Sequence, residues 1–421
     1  MKPILVVADK KGRIYDFPPI EACGMKGGYF FCLPSAELIK LPYGSELFML
    51  PERAPLGYDP KSKDFVTLDG YFAVASFISP GYVLSYNSSY KEIHRPKMLP
   101  LFAYGTVTFY KGEFYVAAIR VDRELRQDLR FMNISLVKKN VKAYKKLYPR
   151  NRLIRHLESC ALIYGCPAAK NFFLKRYEAP LPTSPYCNAK CIGCISYQPP
   201  TGCYITQPRI KFFPTAEEIA ETALHHIKNV KDPVVSFGQG CEGEPLIAGK
   251  TIEKSIRLIR TSTNKGMINI NTNASRPEVI AKLFDAGLNS IRVSLNSARE
   301  DYYTRYYKPR GYAYKDVIES IKIAKKKRGF ISINYLTMPG FTDSKDEYTA
   351  LKNLIENYKI DMIQWRNLNF DPLRYFKELK ISVDASRLLG IREIICSIKR
   401  EFPQLMIGYF NPSKARIKEK R

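Results

Sequence analysis

The sequence predicts an α/β protein in two parts, a smaller β-rich segment followed by a parallel sheet or barrel wrapped in helices. Three observations predict it. Up to about residue 125 the chain is rich in aromatics, Pro and Gly, as strand-and-turn segments are. After about Leu181 short apolar runs alternate with amphipathic stretches in a regular beat. At 421 residues the chain also exceeds what one compact core supports, so more than one domain is expected.

In the first part the clearest element is a hairpin, Thr106 to Tyr110 and Phe114 to Ala118, turning at Lys111-Gly112. From Leu136 to Leu157 the pattern becomes helical and carries Lys138, Lys139, Lys142, Lys145, Lys146, Arg150, Arg152 and Arg155 without one acid. Pro149 is expected to split this stretch into two helices. Beyond it the candidate strands are Val234 to Gly238, Met267 to Thr272, Ser290 to Leu295, Ile331 to Leu336 and Met362 to Asn367. Between them Ala216, Ile219, Ala220, Ala223 and Ile227 are spaced for one buried helical stripe. Thr215 with Glu218, Ser275 with Glu278 and Ser344 with Glu347 have the spacing of capping boxes. Strands separated by helices run parallel, and in such sheets ligands bind at the carboxyl ends of the strands. The expected organisation is a β-rich domain of unassigned role over 1–135, a basic helical connector over 136–180, the barrel over 181–375, and a C-terminal helix with a basic tail over 376–421.

No apolar stretch reaches the roughly 18 residues of a membrane span. The apolar run at the start ends at Asp9, too early for a signal peptide, so no membrane partner and a cytoplasmic location are expected. A formal charge of +27 makes a polyanionic partner, nucleic acid, compatible with the chain; a compositional bias toward Lys would give the same number. Ten cysteines in so long a chain are too sparse for a disulfide scaffold, and three of them crowd together, which reads as metal binding.

Those three, Cys187, Cys191 and Cys194, have the spacing C-x3-C-x2-C. Three thiolates can hold three irons of a cubane cluster and leave the fourth iron open. A zinc site completed by Cys203 is the competing reading. Directly after the strand beginning at Val234 comes Gly238-Gln239-Gly240-Cys241-Glu242-Gly243-Glu244-Pro245, whose glycines let backbone approach a ligand and whose Glu244 offers a carboxylate to an ammonium group.

With both segments in view, the chain resembles the radical S-adenosylmethionine (SAM) superfamily. That resemblance implies a partial (β/α)6 barrel, a [4Fe-4S] cluster held through Cys187, Cys191 and Cys194 after the first strand, and SAM bound at Gly243, Glu244 and Pro245 after the second. Asn273 after the third strand faces the same mouth; Ser294 and Asn296 resemble the segment that contacts the SAM ribose, and Met338 to Asp343 is similar to the family's Pro-Gly loop after the fifth strand. The implied activity is reductive cleavage of SAM, with electrons from a one-electron reductant. The resulting 5′-deoxyadenosyl radical takes hydrogen from a substrate the sequence does not name, with RNA or protein compatible. A non-enzymatic iron-sulfur or zinc-binding regulatory protein is the alternative.

The resemblance departs at Gly193, where the family has an aromatic; Tyr197 or Tyr186 is the expected substitute. His94, His156, His225 and His226 show no metal-binding spacing with acidic neighbours and read as surface or core residues. Cys160, Cys166, Cys203 and Cys241 read as small buried hydrophobes, a second cluster being the less favoured reading. The tyrosines from Tyr302 to Tyr314, interleaved with Arg305, Lys308 and Arg310, are a candidate base-stacking surface or a cover for the barrel mouth. Gln364 and Arg366 are expected to face one side of the last strand, and Trp365 the other.

Overall fold

The computed structural model describes residues 2–94, 96–200 and 203–420. Thirteen strands, β1 (Ile4–Ala8) to β13 (Glu113–Arg120), form an antiparallel sheet system in the N-terminal part. The expected hairpin pairs Val107 with Val116 and Tyr110 with Glu113, and its turn residues Lys111 and Gly112 both take positive φ, the geometry that matches strand twist. Helices α1 (Ile134–Leu147), α2 (Arg152–Leu162) and α3 (Pro167–Phe173) follow. The first two separate at Pro149, and Asn133 and Asn151 cap them by accepting from the amides of Leu136 and Ile154. In the basic stretch Lys145 pairs with Glu158 at 3.0 Å and Arg152 with Glu218 at 2.8 Å. Lys138, Lys139, Lys142, Lys146, Arg150 and Arg155 remain exposed.

Seven strands then lie side by side in chain order, all parallel: β14 (Glu178–Pro180), β15 (Val234–Phe237), β16 (Met267–Thr272), β17 (Ser290–Leu295), β18 (Phe330–Thr337), β19 (Met362–Asn367) and β20 (Met406–Gly408). Around them run α4 (Ala216–Asn229), α5 (Gly249–Ser262), α6 (Pro277–Ala286), α7 (Glu300–Tyr307), α8 (Tyr314–Lys326), α9 (Lys345–Tyr358), α10 (Pro372–Leu379), α11 (Ile391–Glu401) and α12 (Lys414–Lys420). The period of two along each strand sorts the side chains. Ile270, Ile291, Val293, Ile333 and Trp365 are wholly buried in the main core. The alternate residues Ser236, Asn269, Arg292, Ser332 and Gln364 turn to the other face and bond to one another, so the lumen is polar.

This is the expected α/β class, a partial barrel beside a β-rich part, with two boundaries moved. The first barrel strand, β14, lies inside the stretch read as connector. The C-terminal stretch, read as a helix and a basic tail, contributes α11, β20 and α12. Three residues of strand are too few for a periodicity signal, which is why β20 escapes sequence reading. Its consequence is large, because Asn411 just beyond it closes the sheet's open side: Nδ2 donates to Glu178 Oε1 of β14 at 2.7 Å and to Ser236 Oγ at 3.2 Å, and Oδ1 accepts from Gln364 Nε2 at 3.1 Å. The tail is tied down by Arg416, which pairs with Asp122 at 3.1 Å.

Of the capping boxes, Thr215 and Glu218 form one reciprocally. Ser344 accepts from the Glu347 amide, but the Glu347 carboxylate turns inward to Ser297, the Ala298 amide and Arg299. Ser275 caps nothing: α6 starts at Pro277 after Arg276, and Ser275 Oγ instead accepts from Asn188 at 2.9 Å.

The N-terminal sheet docks on the loops that follow β18 and β19, at the carboxyl end of the barrel. Arg53 meets Asp371 at 3.2 Å and Lys26 meets Asp343 at 3.5 Å, all four nearly inaccessible to water. Gly340 passes so close that a Cβ there would lie 2.3 Å from the Gly27 nitrogen. The Asn367 side chain accepts from the Leu84 amide at 2.9 Å and donates to the Tyr82 carbonyl at 3.0 Å, completing the edge of β9 (Tyr82–Leu84). Among the described residues no helix is long and apolar enough to cross a membrane. Because removing one partner strands a buried charge, Asp371→Ala is expected to lower unfolding free energy by about 3–5 kcal/mol in chemical denaturation, and the apolar pair Arg53→Met with Asp371→Leu to recover most of it.

Candidate metal centre at the barrel mouth

The cysteine loop leaves β14 with no helix or strand of its own, so its backbone groups need partners from elsewhere. Lys190 N donates to Tyr307 O at 2.9 Å, Ile192 N to Tyr306 O at 3.1 Å, and Arg310 N to Asn188 O at 2.9 Å. On the other side Gly243 N donates to Ser184 O at 2.6 Å and Glu244 N to Tyr186 O at 2.8 Å. The approach there is so tight that a Cβ on Gly243 would sit 1.9 Å from the Tyr186 oxygen. Gly238 is as constrained, with φ of +76° and an added Cβ 1.7 Å from the Asn271 oxygen.

Two buried carboxylates hold these loops. Glu242, 4 % exposed, accepts from the amides of Thr183, Ser184, Gly238 and Gln239 and from the Thr183 hydroxyl, at 2.7 to 3.0 Å. Glu244 accepts from Thr272 Oγ1, from the Leu246 amide at 3.1 Å and from the Asn273 amide at 2.9 Å, capping the short turn that Pro245 begins. Burial raises the pKa of both, and that of Glu244 to about 7. An ammonium group placed against Glu244 would oppose that shift. Asn273 carries the network onward, its Nδ2 donating to Asn188 Oδ1 at 2.8 Å. The cysteine loop, Gly243 to Pro245, and Asn273 are therefore one hydrogen-bonded unit.

Ser294 and Asn296 stand at the end of β17 and are not joined to that unit by a hydrogen bond among the described residues. Ser294 Oγ accepts from Asn334 Nδ2 at 3.3 Å, and Asn296 Nδ2 donates to Tyr302 O and to the Tyr375 hydroxyl, both at 3.2 Å. Asn296 Oδ1 and Asn334 Oδ1 are buried without partners. Two orphaned acceptors beside a hydroxyl suit a ligand that brings hydroxyl donors, as a ribose does.

Burial pushes the Cys187 thiol up to about 11 and that of Cys191 well above its ordinary value. Such thiols become thiolates against a metal's charge. Arg209 Nη2 lies 3.4 Å from Cys194 Sγ, adding a positive neighbour. Among the described residues the only His, Cys, Asp or Glu group whose ligand atoms all lie within 4.8 Å is His156, Cys160 and Cys241. A cavity of about 280 Å³ flanks the loop, lined by Cys191, Cys194, Lys190, Arg209, Phe370 and, from the N-terminal part, Met98.

At Gly193 the departure has a physical reason. A Cβ there would lie 2.8 Å from the Tyr306 hydroxyl, so the aromatic against this position comes from α7. Of the expected substitutes, Tyr186 is exposed beside Phe213, and Tyr197, exposed under Arg209, lines the cavity beside Cys191 and Cys194. The tyrosine-rich segment is no stacking surface, since Tyr303, Tyr306 and Tyr307 are buried and the backbone of Tyr306 and Tyr307 carries the cysteine loop.

His226 is buried, His225 hydrogen-bonds Tyr148 and His94 is exposed. Gln364 and Arg366 do face the lumen side, Gln364 Oε1 accepting from Arg292, while Trp365 packs against Tyr335 in the core. Sequence reasoning missed Glu242. Its signal was a second acid two positions before Glu244, in a loop where amides converge.

Residues 181–351 match the family model of the Radical SAM superfamily. No curated protein matches the chain. Among solved structures, a radical SAM methyltransferase from Sphaerobacter thermophilus is similar at 14% identity over 48% of this chain and 63% of that one, with a TM-score of 0.35. Methylornithine synthase is similar at 17% identity over 64% of this chain and 77% of that one, with a TM-score of 0.38. The FeFe-hydrogenase maturase HydG from Carboxydothermus hydrogenoformans gives 13% identity, 71% of this chain, 74% of that one and a TM-score of 0.40. Likenesses this distant fix neither topology nor reaction, and the chain spans less than two thirds of the methyltransferase's length.

If the close approach at Gly243 shapes the cysteine loop, Gly243→Ala should cost about 3 kcal/mol and speed proteolysis within residues 184–199. Gly240→Ala, whose Cβ would meet only the tip of Ile195, should be nearly silent in both measurements.

Proposed function

We propose, from the match of residues 181–351 to the family model of the Radical SAM superfamily, that the chain is an enzyme holding a [4Fe-4S] cluster on Cys187, Cys191 and Cys194 with SAM beside it. The family implies SAM, an iron-sulfur cluster and a source of electrons. Bound together, the reduced cluster and SAM would supply a 5′-deoxyadenosyl radical able to take hydrogen from a substrate.

The observation that carries this reading is the cysteine loop itself: three thiols in the spacing C-x3-C-x2-C on a loop hydrogen-bonded to Gly243 and Glu244. In it Glu244 receives the SAM amine, and its raised pKa gives the added positive charge something to stabilise. Asn273 keeps Glu244 and the cysteine loop in register. Ser294 and Asn296 accept from the ribose hydroxyls. The N-terminal sheet, fastened over the loops after β18 and β19, keeps water from the mouth.

After anaerobic reconstitution the protein should bind about four irons per chain and, with dithionite and SAM, release 5′-deoxyadenosine. Cys187→Ala, Cys191→Ala and Cys194→Ala should each abolish that product. SAM binding without cleavage in the reconstituted protein would overturn the enzyme reading and leave a non-enzymatic iron-sulfur protein.

For the substrate, the lumen supports a molecule bearing an anionic group. Arg292 makes one hydrogen bond, to the neutral Gln364 amide at 3.0 Å, and its Nε has no partner. Burial and then the neighbouring Arg366 lower its pKa, and Glu178 and Tyr409 oppose them only in part, so its charge is incompletely compensated. A carboxylate or phosphate would relieve it. RNA and acidic peptides both carry such groups, and the exposed basic face of α1 and α2 gives a macromolecule a place to dock. A substrate found by its change in mass in a lysate supplied with SAM should carry such a group, and Arg292→Gln should raise its KM about tenfold or more. A neutral substrate, or an unmoved KM, would count against it.

A further inference from the structure

Apart from the cysteine loop, the described residues contain one compact set of soft ligands. His156 and Cys160, four apart on α2, project from one helix face. Cys241 arrives from the loop after β15. The three ligand atoms lie within 4.8 Å of one another, and Cys160 Sγ is 3.5 Å from His156 Nε2. Cys160 and Cys241 are buried, at 1 % and 3 % exposed, and His156 is half-buried.

We propose that His156, Cys160 and Cys241 bind a zinc ion, separate from the centre on Cys187, Cys191 and Cys194. The spacing is that of ligands around one ion. With a Zn–S bond near 2.3 Å and a Zn–N bond near 2.05 Å, tetrahedral geometry separates sulfur from nitrogen by about 3.5 Å. That is the distance already present between Cys160 and His156. The ligand types agree as well: two thiolates and a neutral imidazole are preferred by zinc over hard cations, and their two negative charges cancel the ion's, leaving a neutral buried site. Gln207 lies against Cys160, and its Nε2 is buried without a partner. The fourth position falls to its side-chain oxygen, once the amide is turned over, or to water.

The ion would join segments that the barrel needs in register. Cys241 is flanked by Gly240 and Glu242, and its carbonyl accepts from the Ile210 amide at 2.8 Å. The same segment returns to the cysteine loop, Thr206 N donating to Ile195 O at 3.0 Å. A metal here would pin the basic helices to the Gly238–Pro245 loop.

The full-length triple variant Cys187→Ala/Cys191→Ala/Cys194→Ala removes the proposed cluster, so the result does not depend on it. Supplied with zinc and desalted, that protein should retain about one zinc per chain by elemental analysis. Adding His156→Ala or Cys241→Ser should lose it, while circular dichroism stays unchanged. Cobalt in place of zinc should give thiolate-to-metal absorption that disappears with Cys241→Ser. In the triple variant with its ligands intact, chelation should expose two further thiols to alkylation, which reads the site without a ligand substitution. Failure to retain zinc, iron with sulfide in its place, or a Cys160–Cys241 disulfide found by mass spectrometry would each overturn the proposal.

Discussion

A carboxylate that accepts five hydrogen bonds sits between the ends of two neighbouring strands, and the arrangement of the barrel mouth follows from it. Glu242 could not be buried alone; its charge is tolerable because four amides and a hydroxyl converge on it. Those donors belong to Thr183-Ser184, leaving β14, and to Gly238-Gln239, leaving β15. Glu244 repeats the device between β15 and β16, and Glu347 between β17 and β18, where it accepts from Ser297 and from the Tyr335 hydroxyl. Loops that would otherwise drift are thus set by carboxylates at three of the joints between neighbouring strands. Ligand-bearing side chains can then be held without secondary structure of their own.

What the sequence disclosed follows from the range of each signal. Strand and helix positions in the second half are local, and β16, β17 and β19 run where the β-branched runs place them. The three cysteines and the Gly-Glu-Pro turn are local too. Contacts that join distant segments were illegible: Tyr306 filling the space at Gly193, Asn411 spanning from β20 to β14, Glu347 turning away from its own helix start. His156 and Cys160 show helical spacing, but their third partner is on another segment, and a search for acidic neighbours could not find a cysteine. The docking of the N-terminal sheet is of the same kind, since neither Arg53 nor Asp371 announces the other.

The polar lumen deserves comparison with ordinary parallel sheets, which are apolar on both faces. Here one face is given to amides, hydroxyls and an arginine, and the hydrophobic work falls to the helix-facing residues and to the packing beneath α1 to α3. Polar groups facing inward are satisfied largely by one another, so the interior keeps its shape while leaving acceptors such as Asn334 Oδ1 and donors such as Arg292 Nε unspent. The barrel is therefore rigid where it is saturated and receptive where it is not.

Asn367 completes the edge of β9 with a side-chain amide that stands in for a peptide group. A strand edge with free amides and carbonyls is a template for any other extended chain. Held against the barrel, this one is blunted. Freed from it, by truncation or by a nascent chain whose barrel has not yet folded, the same edge could recruit a second molecule. The N-terminal sheet thus depends on the later-synthesised half to cover this edge, and until that half has folded the edge stands open to other extended chains.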